Sequence, residues 1–361
     1  MNFASDNASG AAPSIVEAIV SANSGTAAAY GADSFTQRAE AALSDIFERP
    51  VASFLVTTGT AANALALGAL TPPWSAVFCH EEAHIHDDEC GAPELFTAGA
   101  KLVGIEGEGG KITPQALRDT LSRFPRGPVR GVQPGALSLS QATEAGTIYS
   151  PDEIAALSEI AHEAGVAVHM DGARFANALA ALGCSPAQMS WRAGVDALSF
   201  GATKNGAMGC EAVVFFNPEQ AANFAFQRKR GAHTLSKGRF LGAQMAAYLD
   251  NGLWLTLARR ANDAAGRIEK GLADIPGVRL AWPRRVNEIF PIAPRSLVAA
   301  LRAEGVGFYE WSSRAVAPAL AVRPDEAFLR LVCSFETSDA EVDRFLAIVR
   351  AHCASIAGAR S

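Results

Sequence analysis

Between Val51 and Phe216 the chain repeats one pattern: a short apolar run, a turn of small residues, then a helical stretch. That alternation predicts a mostly parallel sheet covered by helices on both faces. Strands are expected at Val51 to Val56, Ala76 to Cys79, Lys101 to Ile105, Val166 to Met170, Val195 to Phe200 and Ala212 to Phe216, the last with no polar side to give to water. Helices are expected over Ala61 to Leu70 and Phe175 to Leu182. Two helix starts are marked by caps, Thr113 before Pro114 and the capping box Ser150-Pro151-Asp152-Glu153. From about Lys237 the texture changes. A long helix, roughly Phe240 to Ala273, carries stripes such as Leu241, Met245 and Leu249. Beyond Gly277 short strands (Val278 to Ala281, Glu288 to Ile292, Phe328 to Cys333) mix with helices at Arg295 to Glu304 and Asp339 to Ile356. The reading is a large domain over residues 1–240 and a smaller α+β domain over 241–361 that includes the connecting helix.

Composition closes off several functions. Thirty-one basic against 37 acidic side chains give a formal net charge of −6, so the chain lacks the basic stripe that neutralises phosphates and nucleic acid is not its partner. No apolar run reaches the roughly 18 residues that cross a bilayer. The segment Met1 to Gly10 is polar, without Lys or Arg, which is not a secretory signal; a cytoplasmic protein is expected. The six cysteines form no CxxC pair and read as reduced, mostly buried thiols.

Three segments carry candidate chemistry. Thr57-Thr58-Gly59-Thr60 joins a strand to a helix, where backbone N–H groups and the helix dipole favour an anion; taken alone it is also an ordinary capped turn. His169-Met170-Asp171-Gly172-Ala173-Arg174 ends an apolar strand on a carboxylate, at the edge where ligands of doubly wound sheets bind; by strand alternation His169 shares the face of Asp171 and could hydrogen-bond it. Gly201-Ala202-Thr203-Lys204-Asn205-Gly206 places a lysine in a small-residue turn after a strand, where a desolvated amine can attack a carbonyl. A phosphate cradle, a carboxylate for a pyridine nitrogen and an amine for an aldehyde are together what pyridoxal 5'-phosphate requires.

With Ser5-Asp6-Asn7, Tyr30-Gly31, Ala83-His84 and Leu329-Arg330-Leu331-Val332 added to these segments, the chain resembles, over nearly its whole length, the low-specificity L-threonine aldolases of the aspartate-aminotransferase-like (fold type I) pyridoxal-phosphate enzymes. It is most similar to a bacterial branch acting on phenylserine-like substrates. The resemblance implies a PLP-dependent transferase-like large domain with a mostly parallel seven-stranded sheet, a smaller C-terminal α+β domain, and aldol cleavage of L-threonine, L-allo-threonine and related β-hydroxy-α-amino acids to glycine and an aldehyde. It implies that Lys204 binds the cofactor aldehyde and Asp171 pairs with the pyridine nitrogen. Gly59, Thr60 and Thr58 would take the phosphate beside Thr203, and His84 would stack on the ring and serve as the base for the hydroxyl. Ser5, Arg174 and Arg330 would hold the substrate carboxylate. A homodimer or homotetramer is implied, with the site at the subunit interface and a neighbour's basic residue completing the phosphate site; among Arg228, Lys229 and Lys237, Lys237 is the choice. The sequence departs from many relatives in two places. Leu139 to Glu144 lacks the histidine of their Glu-Asn-Thr-His segment, and Asn7 stands where many have Thr.

Two other motifs compete. His80-Glu81-Glu82-Ala83-His84 matches the HExxH of zinc hydrolases, but that spacing works only on a helix, and a strand is expected to run straight into it; no metal is expected. Gly107 to Lys111 lacks the first glycine and the Ser/Thr of a phosphate loop, so it reads as a turn. Another reaction of the same cofactor, β-elimination or transamination, would use most of the same residues.

Overall fold

The computed structural model describes residues 1–312, 314, 316–317 and 320–358, with side chains to residue 354. Seven strands form the main sheet: β1 (Ala52–Val56), β2 (Ser75–His80), β3 (Lys101–Ile105), β4 (Gln133–Ser140), β5 (Ala167–Gly172), β6 (Ala197–Gly201) and β7 (Glu211–Phe215), in the order β1-β7-β6-β5-β4-β2-β3. All pairs from β3 to β6 are parallel, and β7 runs antiparallel to both of its neighbours. The residues of β2 and β7 are buried throughout, as expected for strands packed on both faces. The carboxyl ends of β1, β2, β4, β5 and β6 share one edge, and Glu211 at the start of β7 sits there in register with Val56 and Gly201.

Two features differ from the sequence expectation. The central strand β4 is not among the strands expected from sequence, and it contains Pro134 and Gly135, residue types that weaken a strand interior. The register with β2 shifts at that point, and a Cβ on Gly135 would lie 2.7 Å from Ser75 Cβ and 2.8 Å from Thr71 Cγ2, so glycine is what lets β4 lie against the start of β2. The long helix is in fact two, Arg239–Leu249 and Leu253–Leu272, separated by Asp250-Asn251-Gly252 with Asn251 at φ 49° and Gly252 at φ 67°. The first packs on the helices Pro13–Ala22 and Ser34–Ile46 of the large unit. The second packs on Phe175–Leu182 and carries Ala265, Ile268 and Leu272 into the core of the small one.

That small unit is an antiparallel sheet of β8 (Arg279–Leu280), β9 (Glu288–Ile289), β10 (Pro291–Pro294), β11 (Tyr309–Glu310) and β12 (Glu326–Val332), covered by the helices Arg295–Ala303 and Asp339–Gly358. The first residues of the chain join it. Phe3 N–H donates to Gly307 O at 2.7 Å, Val332 N–H donates to Phe3 O at 2.8 Å, and the Phe3 ring meets Phe345 edge-on at 5.3 Å. Burying Phe3 is worth about 2 kcal/mol, and it carries Ser5, Asp6 and Asn7 to the edge where the strands end.

Candidate active site

At that edge, between the large sheet and β12, lies a cavity of about 470 Å³, within the range of cofactor and small-ligand sites. Thr58, Gly59 and Thr60 form one wall. The Thr58 hydroxyl accepts from Ala61 N–H at 3.2 Å and starts the helix Gly59–Leu70, whose first turn therefore points its free N–H groups and positive dipole end toward the cavity. A Cβ on Gly59 would meet nothing within 4 Å, so the glycine leaves this wall open to a ligand.

Asp171 ends β5 on the cavity floor. Its Oδ1 accepts from Ala173 N–H at 2.9 Å, and its Oδ2 accepts from the Asn63 amide at 2.7 Å. The same Asn63 nitrogen donates to Glu89 Oε1 at 2.8 Å, and that oxygen also lies 2.8 Å from His84 Nδ1. The Glu89 hydrogen bond holds the His84 imidazole more basic than usual, against the opposing effect of burial. Asp171, Asn63, Glu89 and the half-exposed His84 thus form one hydrogen-bonded chain, drawn from a strand end, the helix Gly59–Leu70, a loop and the short helix His84–Asp87. His169 does not hydrogen-bond Asp171. It points between strands, with Nδ1 2.9 Å from Ser138 Oγ and Nε2 2.9 Å from Ser199 Oγ, and burial pushes it down to about 4, a neutral ring pinning β4, β5 and β6 together.

Lys204 lines the cavity from the single turn Thr203–Asn205 after β6. The turn is clamped on both sides. Thr203 Oγ1 accepts from Cys210 N–H at 3.1 Å, and the Asn205 amide donates to Tyr248 Oη and Trp254 O, both at 2.8 Å. Beside it Glu211 accepts from Ala202 N–H at 2.6 Å; burial raises this carboxyl to about 7 despite its hydrogen bonds and the nearby Lys204 charge.

Ser5, Arg174 and Arg330 meet on the far side, but the two arginines do not stand free. Arg174 donates to Asp6 at 2.8 and 3.2 Å, and both Arg174 and Arg330 contact Glu288 Oε1, at 3.3 and 3.1 Å. Burial pushes the Asp6 carboxyl up, while Arg174, Lys204 and Asn287 outweigh it and hold it below its ordinary value. The Arg330 guanidinium also lies 4.7 Å from the Trp311 ring centroid. Ser5 accepts from Asn7 N–H at 3.1 Å through its hydroxyl oxygen.

Asp6, Asn63, Glu89, Glu144, Glu211 and Glu288 carry no role in the sequence analysis. Asp6 and Glu144 lie in segments quoted above, but no role follows from those segments for them; each of the six is defined chiefly by partners from elsewhere in the chain. Lys237 is exposed and does not line this cavity. The zinc motif fails on geometry. His80 ends β2 with Nε2 2.9 Å from Gly107 O and Nδ1 accepting from Glu82 N–H at 3.1 Å, and only a four-residue helix, His84–Asp87, follows. The 107–111 segment is a turn, with Gly109 and Gly110 at positive φ.

This sheet order, with a helix N-terminus, a strand-end carboxylate and a loop lysine converging on one edge, defines a pyridoxal-phosphate-dependent enzyme of fold type I. The family described as beta-eliminating lyase matches residues 2–292. A low specificity L-threonine aldolase of Pseudomonas sp. (strain NCIMB 10558) is 41% identical over 349 residues, covering 97% of each chain, and one of Pseudomonas aeruginosa is 43% identical over 335 residues, covering 93% of each. The solved structure of Leishmania major threonine aldolase superposes with a TM-score of 0.90 at 28% identity, covering 98% of this chain and 99% of that one. The chain belongs to the beta-eliminating lyase family and, within it, to the group of the low specificity L-threonine aldolases.

Proposed function

We propose that this chain cleaves L-threonine, L-allo-threonine and related β-hydroxy-α-amino acids, phenylserine among them, into glycine and an aldehyde with pyridoxal 5'-phosphate as cofactor. The observation that carries the reading is the convergence, in one 470 Å³ cavity, of Thr58 to Thr60, Asp171, Lys204 and the arginine pair. The cavity suits the cofactor: a capped helix start for its phosphate, an anchored carboxylate for its ring nitrogen, and an amine on a clamped turn for its aldehyde. When bound, the cofactor supplies an electron sink for the pair released at Cα.

The chain's own residues then divide the work. Gly59, Thr60 and Thr58, with Thr203 beside them, hold the phosphate, and Lys204 engages the aldehyde carbon. Asp171, kept in place by Asn63 and Ala173 N–H, maintains the proton on the ring nitrogen. His84, fixed by Glu89, covers the ring and is one candidate to receive the substrate hydroxyl proton. Arg330 and Arg174, with Ser5, would orient the substrate carboxylate and so fix which bond at Cα is presented for cleavage; a planar fork suits a carboxylate better than a lysine does. Glu288 keeps both arginines paired until that carboxylate displaces it. Lys237 of a neighbouring copy would complete the phosphate site in a dimer or tetramer. Among the described residues no helix is long and apolar enough to cross a membrane.

The test is product analysis of the cofactor-loaded protein with L-threonine. Equimolar glycine and acetaldehyde support the reading. A keto acid with ammonia, or a keto acid with an aminated cofactor, overturns it in favour of elimination or transamination.

A further inference from the structure

Glu144 lies in the cavity wall with no ion-pair partner among the described residues. It follows β4 on a loop, and its Oε1 is saturated by His84 N–H and Ser140 Oγ–H, both at 2.8 Å. Its other oxygen, Oε2, is buried and has no hydrogen-bond partner among the described residues, although the side chain lines the cavity. A buried carboxylate oxygen left unpaired costs free energy unless a ligand group meets it. His84 already gives its Nδ1 to Glu89 at 2.8 Å, so only Nε2 is left for a substrate, whereas Glu144 Oε2 has no partner among the described residues.

We propose that Glu144, through Oε2, is the group that takes the proton from the substrate's β-hydroxyl, with His84 confined to covering the cofactor ring. The inference rests on the aldol-cleavage reading. In the step, the O–H bond breaks and its proton passes to Glu144 Oε2. The O–H electron pair becomes the second C–O bond of the aldehyde. The Cα–Cβ bond breaks, leaving its pair on the glycine fragment, and a proton returned to Cα completes glycine. The groups facing Glu144 are Asp171, His84, Cys79, Tyr149 and, farther off, Arg174. Burial and the Asp171 charge outweigh its hydrogen bonds and raise the carboxyl to about 7, where a base can both accept and release a proton at neutral pH.

The test uses the holoenzyme and the variant Glu144→Gln. Cleavage of L-threonine should fall ~10²-fold or more, and the rise of kcat/KM with pH through neutrality should flatten. Cofactor affinity, and exchange of a glycine α-hydrogen with deuterated solvent, which involves no hydroxyl, should change less than about threefold. Independently of turnover, infrared difference spectra taken below and above neutrality should show protonated-carboxyl absorption in the native protein that is reduced in E144Q by the Glu144 contribution, leaving that of Glu211. Glu144→Asp should recover part of the lost kcat. Undiminished cleavage in E144Q, an equal fall in glycine exchange, an unchanged infrared band, or no recovery in E144D would each overturn the proposal. If the native protein releases no glycine and aldehyde at all, the functional reading fails instead.

Discussion

Replacing Arg174 by methionine tests the charge network that joins the N-terminal segment to both sheets. The guanidinium is nearly enclosed (8% exposed) and its partners Asp6 and Glu288 are more so (2% and 0%). Removing one member of a buried pair leaves an uncompensated charge, at about 3–5 kcal/mol. Here the loss should fall at the lower end, about 3 kcal/mol, because Arg330 still reaches Glu288 at 3.1 Å and Asn287 still donates to Asp6 at 3.2 Å. The pH dependence has a definite sign. In the native protein the Asp6 pKa is depressed, so its contribution is present above the unfolded carboxylate value and is lost as pH falls through the folded one. Without Arg174, burial raises the folded value above the unfolded one, so acidification restores stability to the variant while removing it from the native protein. Chemical denaturation of the apoproteins at neutral pH and near pH ~5 should therefore show a deficit that shrinks on acidification. A deficit below about 1 kcal/mol, or one that does not change with pH, would refute the reasoning.

Three further outcomes follow from other parts of the molecule. His169 is held neutral at about 4 by burial, so the native protein should lose up to about 3 kcal/mol as pH falls from 6.5 toward 4, and His169→Gln should flatten that slope in acid denaturation curves. Thr58→Val removes the cap on Ala61 N–H; it should lower apoprotein stability by about 1 kcal/mol and weaken pyridoxal-phosphate affinity in an absorbance titration. Gly135→Val would drive side-chain atoms into Ser75 and Thr71 where β4 meets β2, and the soluble yield should collapse relative to a conservative core change such as Val213→Ile.

What was legible in the sequence is what is local. The helix Phe175–Leu182 and the capping box at Ser150 lie where pattern and cap chemistry place them, and β5, β6 and β7 depart only at their ends. Thr58, Asp171 and Lys204 could be found because each stands at a strand end beside small residues, a position readable over about ten residues. The expected long helix hid a break that Asp250-Asn251-Gly252 signals in retrospect, since Asn and Gly tolerate the left-handed conformation both adopt. The polar supports of the site were illegible for a different reason. Asp6 meets Arg174 across 168 positions, and Asp171 meets Asn63 across 108. No spacing rule links such pairs; only the assembled sheet and the return of the chain through the small unit bring them together. Glu144 belongs to the same class, since only its neighbours reveal the unpaired oxygen.

We propose that Lys204 presents its amine to the cofactor's aldehyde at the carboxyl edge of this sheet. The most direct measurement is borohydride reduction of the pyridoxal-phosphate-loaded protein followed by peptide mass mapping. The visible absorbance should disappear and a phosphopyridoxyl mass should be fixed on the peptide carrying Lys204, with no label retained by Lys204→Ala. Label on another lysine, or an undiminished label in the variant, would contradict it.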